Sequence, residues 1–260
     1  MNKKILLSAI FACFTTLMFA ADDIKGMGNL TTKVYEIEAF DEIELSGPVK
    51  FYYVQSESDE STLEVTIDEN LISFLKIGTE ERTLTVEVMK GVNILPTAYT
   101  IKASSKWLKS VKVETTGGFY ATSELTGSVL ELKATGGGLV ELKKAVKVGK
   151  LDLLSSGSGN VVVPSLASDE LECKLTGSGS ITVKGKTPKA TYSITGSGIL
   201  NTYECIVADI ICKITGSGVA KVHPTEKMKV NIIGSGNVFY KGDANITQRI
   251  LGGGAIEAVK

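Results

Sequence analysis

The feature that most restricts what this chain can fold into is a glycine-rich corner that returns at a nearly constant step. Ser156-Gly157-Ser158-Gly159, Thr176-Gly177-Ser178-Gly179, Thr195-Gly196-Ser197-Gly198, Thr215-Gly216-Ser217-Gly218 and Ile233-Gly234-Ser235-Gly236 recur almost verbatim. Thr116-Gly117-Gly118, Thr135-Gly136-Gly137-Gly138 and Leu251-Gly252-Gly253-Gly254 are degenerate copies on either side. Counted by their first glycines, the eight corners lie 18 to 21 residues apart and hold 18 of the chain's 27 glycines. A fixed step of this length marks a stacked repeat, in which one unit cannot bury a core without its neighbours.

Between corners the side chains alternate. Apolar residues fall six, four and two positions before the first glycine, as in Leu171/Cys173/Leu175, Ala190/Tyr192/Ile194 and Ile210/Cys212/Ile214. They fall again four and six positions after it, as in Val161/Val163 and Ile181/Val183, with mostly charged or hydroxyl residues between. A period of two predicts strands with one buried face. Two strands and two turns per repeat leave no room for a crossover helix, so equivalent strands run in the same direction. The chain is therefore expected to be all-β, a parallel β-helix whose coils stack about 4.8 Å apart. The stacking predicts an apolar ladder Leu175-Ile194-Ile214-Ile232-Ile250 and an outward row Thr116-Thr135-Ser156-Thr176-Thr195-Thr215.

Four segments follow along the chain. Residues 1–21 read as a secretory signal peptide: Asn2-Lys3-Lys4, then an apolar run from Ile5 to Phe19, then Ala20-Ala21 ahead of Asp22-Asp23. The run is short for a membrane span, and its continuation past Cys13 through Phe14, Leu17 and Met18 argues against lipidation there. No transmembrane segment is expected after cleavage. Residues 22–33 are expected to be a tail. Residues 34–110 alternate without the repeat, with turn signals at Gly47-Pro48 and Gly78-Thr79 and a short helical turn capped by Asp68, and are expected to be irregular first coils of the same domain. Residues 111–260 carry the repeat.

Some of these residues also carry a family resemblance. Phe40-Asp41-Glu42-Ile43-Glu44-Leu45-Ser46-Gly47-Pro48-Val49-Lys50-Phe51, then Leu63-Glu64-Val65-Thr66-Ile67-Asp68-Glu69-Asn70-Leu71 and Leu84-Thr85-Val86-Glu87-Val88, lead into the Thr-Gly-Ser-Gly corners. Over most of residues 34–258 this resembles the DUF2807 family, the auto-transporter adhesin head (GIN) domain. The resemblance implies an exported bacterial protein with a single-stranded right-handed β-helix, and it brings no catalytic residues. A self-translocating adhesin also needs a C-terminal barrel of many amphipathic strands. None is read before Lys260, so another export route is expected.

The remaining chemistry is sparse. With 28 basic against 29 acidic side chains there is no surplus to track phosphates, so nucleic acid is not an expected partner. A single histidine, His223 beside Pro224, removes most metal and triad chemistry. The corners match neither a Walker loop, nor a dinucleotide fingerprint, nor a nucleophile elbow, and they carry no carboxylate for calcium. No cofactor is expected. Gly157, Gly159, Gly177, Gly179, Gly196, Gly198, Gly216, Gly218, Gly234 and Gly236 are read as structural, supplying positive φ, with each serine bonding locally to the backbone. The alternative is that Ser158, Ser178, Ser197, Ser217 and Ser235 form a polar strip for an extended ligand. A charged row, Glu114, Lys133, Lys174, Lys213 and Arg249, alternating with Leu154, Ser193 and Asn231, is read as a solvated face, with salt-sensitive holding of an anionic glycan as the alternative. Cys173 and Cys212 share a ladder with Tyr192 between them, about 9.6 Å apart, beyond the roughly 7 Å of a disulfide. Cys205 has no evident partner.

The expected function is a non-enzymatic, exported binding or scaffold module of the cell envelope, periplasmic, outer-membrane-associated or extracellular. Its expected partner is a glycan or a surface protein. Two alternatives stand beside it: a carbohydrate-active enzyme, which needs two carboxylates at matched height in a concave face, and a structural protein that self-associates through its coil ends.

Overall fold

A computed structural model describes residues 23–259, and the signal peptide expected at residues 1–21 lies outside the described residues. The chain forms a parallel β-solenoid of about 7 turns. Gly136, Gly157, Gly177, Gly196, Gly216 and Gly234 stand directly above one another, and the expected apolar ladder is in register from Leu175 to Ile250. Its members below the last coil are buried. Each coil has three straight segments rather than two. In the strand Asn160–Gly177 the ladder to the next coil shifts between Val163 and Leu166, and the ladder to the coil below skips Asp169. Differences in repeat length are absorbed at these bends, for example between Asn201 and Ile206.

The corner glycines are needed for two different reasons. The first of each pair has φ between +97° (Gly157) and +116° (Gly234), where a side chain is strained. The second does not, but it approaches the core too closely: a Cβ on Gly218 would lie 2.4 Å from Ile194 Cγ2 and 3.0 Å from the Gly198 carbonyl. The serine backbones bond between coils, Ser197 N–H donating to the Gly177 carbonyl at 2.8 Å and Ser217 N–H to that of Gly196 at 2.9 Å, and the Ser158 hydroxyl also donates to the coil below, to the Gly136 carbonyl at 3.3 Å.

The first corner falls two residues earlier than the glycines suggest. Thr115, not Gly117, stands opposite Gly136, and Val111 and Val113 pair with Leu132 and Ala134. A slip of two keeps every side chain on its face, but it removes Thr116 from the expected outward row and replaces Glu114 by Lys112 in the basic row. One coil lower, Ser46 pairs with Glu114, which places Gly47-Pro48 at the same corner.

The N-terminal coils do not stack in chain order. Strands Thr83–Val88 and Tyr99–Ser105 lie beneath Glu42–Ser46 and Lys50–Gln55, which lie beneath Ser110–Thr115 and Gly118–Ala121. Antiparallel strands Leu30–Val34, Thr62–Asp68 and Leu75–Glu80 complete this end. Part of the expected tail is therefore strand, and Gly78 is within a strand. The turn between Leu75–Glu80 and Thr83–Val88 is formed by Glu81 and Arg82, both at positive φ. Asp68 precedes a 3-10 helix, Glu69–Phe74, without capping it. Its buried carboxylate instead accepts from Gly28 N–H at 2.7 Å, Thr97 N–H at 2.8 Å and Thr97 Oγ1 at 2.7 Å, tying two loops to the end of the solenoid. At the other end, strands Asn245–Leu251 and Ala255–Ala258 form the last described coil, and their inward residues Ile246, Ile250 and Ile256 are only partly buried.

Candidate functional site

The out-of-order stacking sends one segment of the chain outside the ladder. Ser105 ends a strand one level below Lys50–Gln55, and Ser110 begins one a level above. Residues 106–109 must climb two coil steps, about 9.6 Å, outside the ladder. Trp107, the sole tryptophan, is on this climb and is 49% exposed.

The climb is held from three directions. The Tyr53 hydroxyl, in the core, lies 2.9 Å from Ser105 Oγ, which donates to the Trp107 carbonyl at 2.9 Å. Burial raises the Tyr53 pKa to about 12, so the phenol stays protonated. The Gln55 side-chain amide donates to the Lys106 and Thr126 carbonyls, both at 3.1 Å, and accepts from Thr126 N–H at 2.8 Å. It thus acts as a peptide group where no strand runs. Asp41, 5% exposed at its side chain, pairs with Lys109 Nζ and with Arg82 Nε, each at 2.8 Å. Burial pushes the Asp41 pKa up, but the bonds from Lys109 and Arg82 outweigh it and hold the carboxyl below its ordinary value.

Two grooves flank the indole and share Trp107 and Thr126 as lining. One, of about 590 Å³, has Leu108, Gly127, Ser128 and Val129 beside them. The other, of about 300 Å³, is lined by Gln55, Ser56, Glu57, Lys106 and Glu124. A third groove of about 570 Å³ opens across Val34, Val54, Ala103 and Tyr52. Tyr52 stacks on Tyr120 with ring centroids 5.2 Å apart, and Lys143 Nζ lies 5.6 Å from the Tyr120 ring centre.

The residues singled out by sequence lie elsewhere. Ser158, Ser178, Ser197, Ser217 and Ser235 are exposed along one corner, in line with the solenoid axis. The basic row is Lys112, Lys133, Leu154, Lys174, Ser193, Lys213, Asn231 and Arg249. An acidic row beside it partly neutralises it, Lys133 pairing with Glu131 at 2.7 Å and Lys174 with Glu172 at 2.6 Å. A further row alternates in sign, Lys150, Glu170, Lys189, Asp209 and Lys227.

Asp152 and Glu172 do stand at matched positions on adjacent coils, as an enzyme would require, but Lys150 bridges them at 2.9 and 3.3 Å. The bond from Lys174, assisted by Lys150, holds Glu172 below the usual carboxylate range, the reverse of a general acid. Cys173, Cys205 and Cys212 are free and buried, and burial pushes the latter two to about 12. His223 lies in a strand, its Nδ1 3.3 Å from the Tyr203 carbonyl. The sequence signal for the Trp107 site is a lone tryptophan in a polar stretch between two strands.

Known proteins place this architecture. A crystal structure from Parabacteroides merdae described as a "putative adhesin" is 43% identical, covers 92% of this chain and 100% of its own, and superposes with a TM-score of 0.87. A "putative adhesin" from Parabacteroides distasonis gives the same four values, 43%, 92%, 100% and 0.87. A "putative lipid binding protein" from Parabacteroides distasonis is 36% identical over 92% of this chain and 100% of its own, with a TM-score of 0.89. No curated protein matches. The family model described as "Putative auto-transporter adhesin, head GIN domain" matches residues 39–244, and the chain belongs to that family, DUF2807.

Proposed function

We propose that this chain is an exported, non-enzymatic, adhesin-like binding module of the cell envelope. Its family and two of its structural relatives carry the description "putative adhesin", and it shares their fold across nearly its whole described length. The observation that carries the reading is the arrangement of its surface. Outward charges on the long face partly neutralise one another, while half-exposed aromatic and apolar side chains line grooves at the N-terminal coils. A rigid stack holding a fixed set of grooves suits recognition.

The test uses protein purified after export, whose N-terminus is expected at Ala21 or Asp22. Labelled protein should bind isolated cell envelopes or host-cell surfaces saturably and be displaced by unlabelled protein. Turnover of a polysaccharide that disappears in Glu172→Gln would overturn the reading. A second reading, capture of an acyl chain, has the groove across Val34, Val54, Ala103 and Tyr52 in its favour, and the name of one structural neighbour points the same way.

A further inference from the structure

We infer that the Trp107 climb is a binding site for a neutral, extended oligosaccharide, laid across the indole with sugar units in the groove on each side. The inference rests on the binding-module reading and names the class of ligand.

Three observations carry it. First, the indole is exposed but its backbone is not free. Tyr53 through Ser105, Gln55, and Asp41 through Lys109 fix both ends of a four-residue climb. A large apolar surface held in position has already met the entropic cost of ordering, which makes it an anchor for a ligand. The flat C–H face of a pyranose covers an indole, and the sugar's hydroxyl edges remain free to bond at the sides.

Second, the two flanks offer what those edges require. The smaller groove has the Ser56 hydroxyl and the Glu57 carboxylate, and the larger has Ser128, with Thr126 common to both. Gly127 keeps the larger floor bare. A Cβ there would have no heavy atom nearer than the Val129 carbonyl at 4.0 Å, and its φ is not in the left-handed region, so neither packing nor backbone demands glycine.

Third, the surrounding cations are already paired. Lys106 bonds Asp59 at 2.6 Å, Lys147 bonds Glu124 at 2.8 Å, and Lys109 bonds Asp41 at 2.8 Å. With Glu57 added, the rim offers an anionic chain no surplus of positive charge and suits an uncharged one.

The sole tryptophan makes the site self-reporting. Purified exported protein is titrated with maltohexaose, cellohexaose, mannohexaose and xylohexaose while its emission and acrylamide quenching are followed. At least one neutral sugar should shift the emission to the blue and protect the indole, unchanged by about 0.5 M NaCl. Gly127→Val fills the floor yet leaves the fluorophore in place, and should weaken the response by about tenfold or more. Trp107→Ala should abolish retention on the matching polysaccharide in affinity electrophoresis, with an unchanged circular dichroism spectrum and unfolding midpoint.

No response to any neutral sugar overturns the inference. So does a response confined to dextran sulfate and lost in salt, or one confined to phosphatidylcholine or phosphatidylglycerol vesicles. If Trp107→Ala binds cell envelopes as the unaltered protein does, the site is wrong and the binding-module reading stands. If the unaltered protein binds no envelope, that reading fails as well.

Discussion

Two exclusions act at the corner glycines, one by backbone angle and one by space, and they explain why glycine stands on both sides of each corner serine. At Gly196 both act: φ is +110°, and a Cβ would lie 2.6 Å from the Gly177 carbonyl. Gly196→Ala should therefore lower stability by about 2–4 kcal/mol in urea unfolding. Ser197→Ala, on an exposed side chain whose backbone supplies the inter-coil bond, should stay within about 0.5 kcal/mol. Equal effects would show that the corner is held by its hydroxyls. Within the coils, burial raises the pKa of Cys173, Cys205 and Cys212, which withholds the thiolate and leaves all three as packing residues.

Strands reach their positions through two side chains that stand in for missing backbone. Gln55 supplies an amide between Lys106 and Thr126. Asp41 links the Arg82 turn below it to Lys109 above, with its own backbone accepting from Lys109 N–H at 2.7 Å. Because the Asp41 carboxyl is held below its ordinary value of 3.8, its contribution is complete above that value and is lost as pH falls through the folded one. Trp107 emission should accordingly move to the red on acidification below about pH 4. Asp68 is shifted in the same direction, burial raising its pKa less than the Thr97 and Gly28 bonds lower it. Asp41→Asn separates the two, since it should abolish the acid transition seen at Trp107. Flat emission from neutral pH to full acid would show that Asp41 does not hold the climb.

Over the whole molecule, stability is a sum of coil terms plus the two ends, and the ends differ. Antiparallel strands complete the N-terminal end, whereas Asn245–Leu251 and Ala255–Ala258 have no strand on their outer side among the described residues. Hydrogen exchange should run fastest through 245–258 and slowest through Leu166–Gly234, where each strand is paired on both sides. Uniform protection would contradict additive coils. Protection of 255–258 that rises with protein concentration would reveal self-association through the open edge.

The repeat could be read from the sequence because its cause is local. Each corner imposes the same backbone angle, and each strand shows the same two-residue alternation, so step, buried face and ladder all follow from spacing. That spacing misled at the first corner, where Thr115 stands in the place of the later glycines, and in the number of straight segments per coil. The grooves beside Trp107 follow no such rule. They arise because Thr83–Ser105 tucks beneath Glu42–Gln55, which sends the next four residues over the outside, and that ordering depends on which strand edges find partners. Pairing between strands distant in the chain has no spacing to announce it. The sequence by itself determined the solenoid, and tertiary pairing alone decided where the grooves beside Trp107 lie.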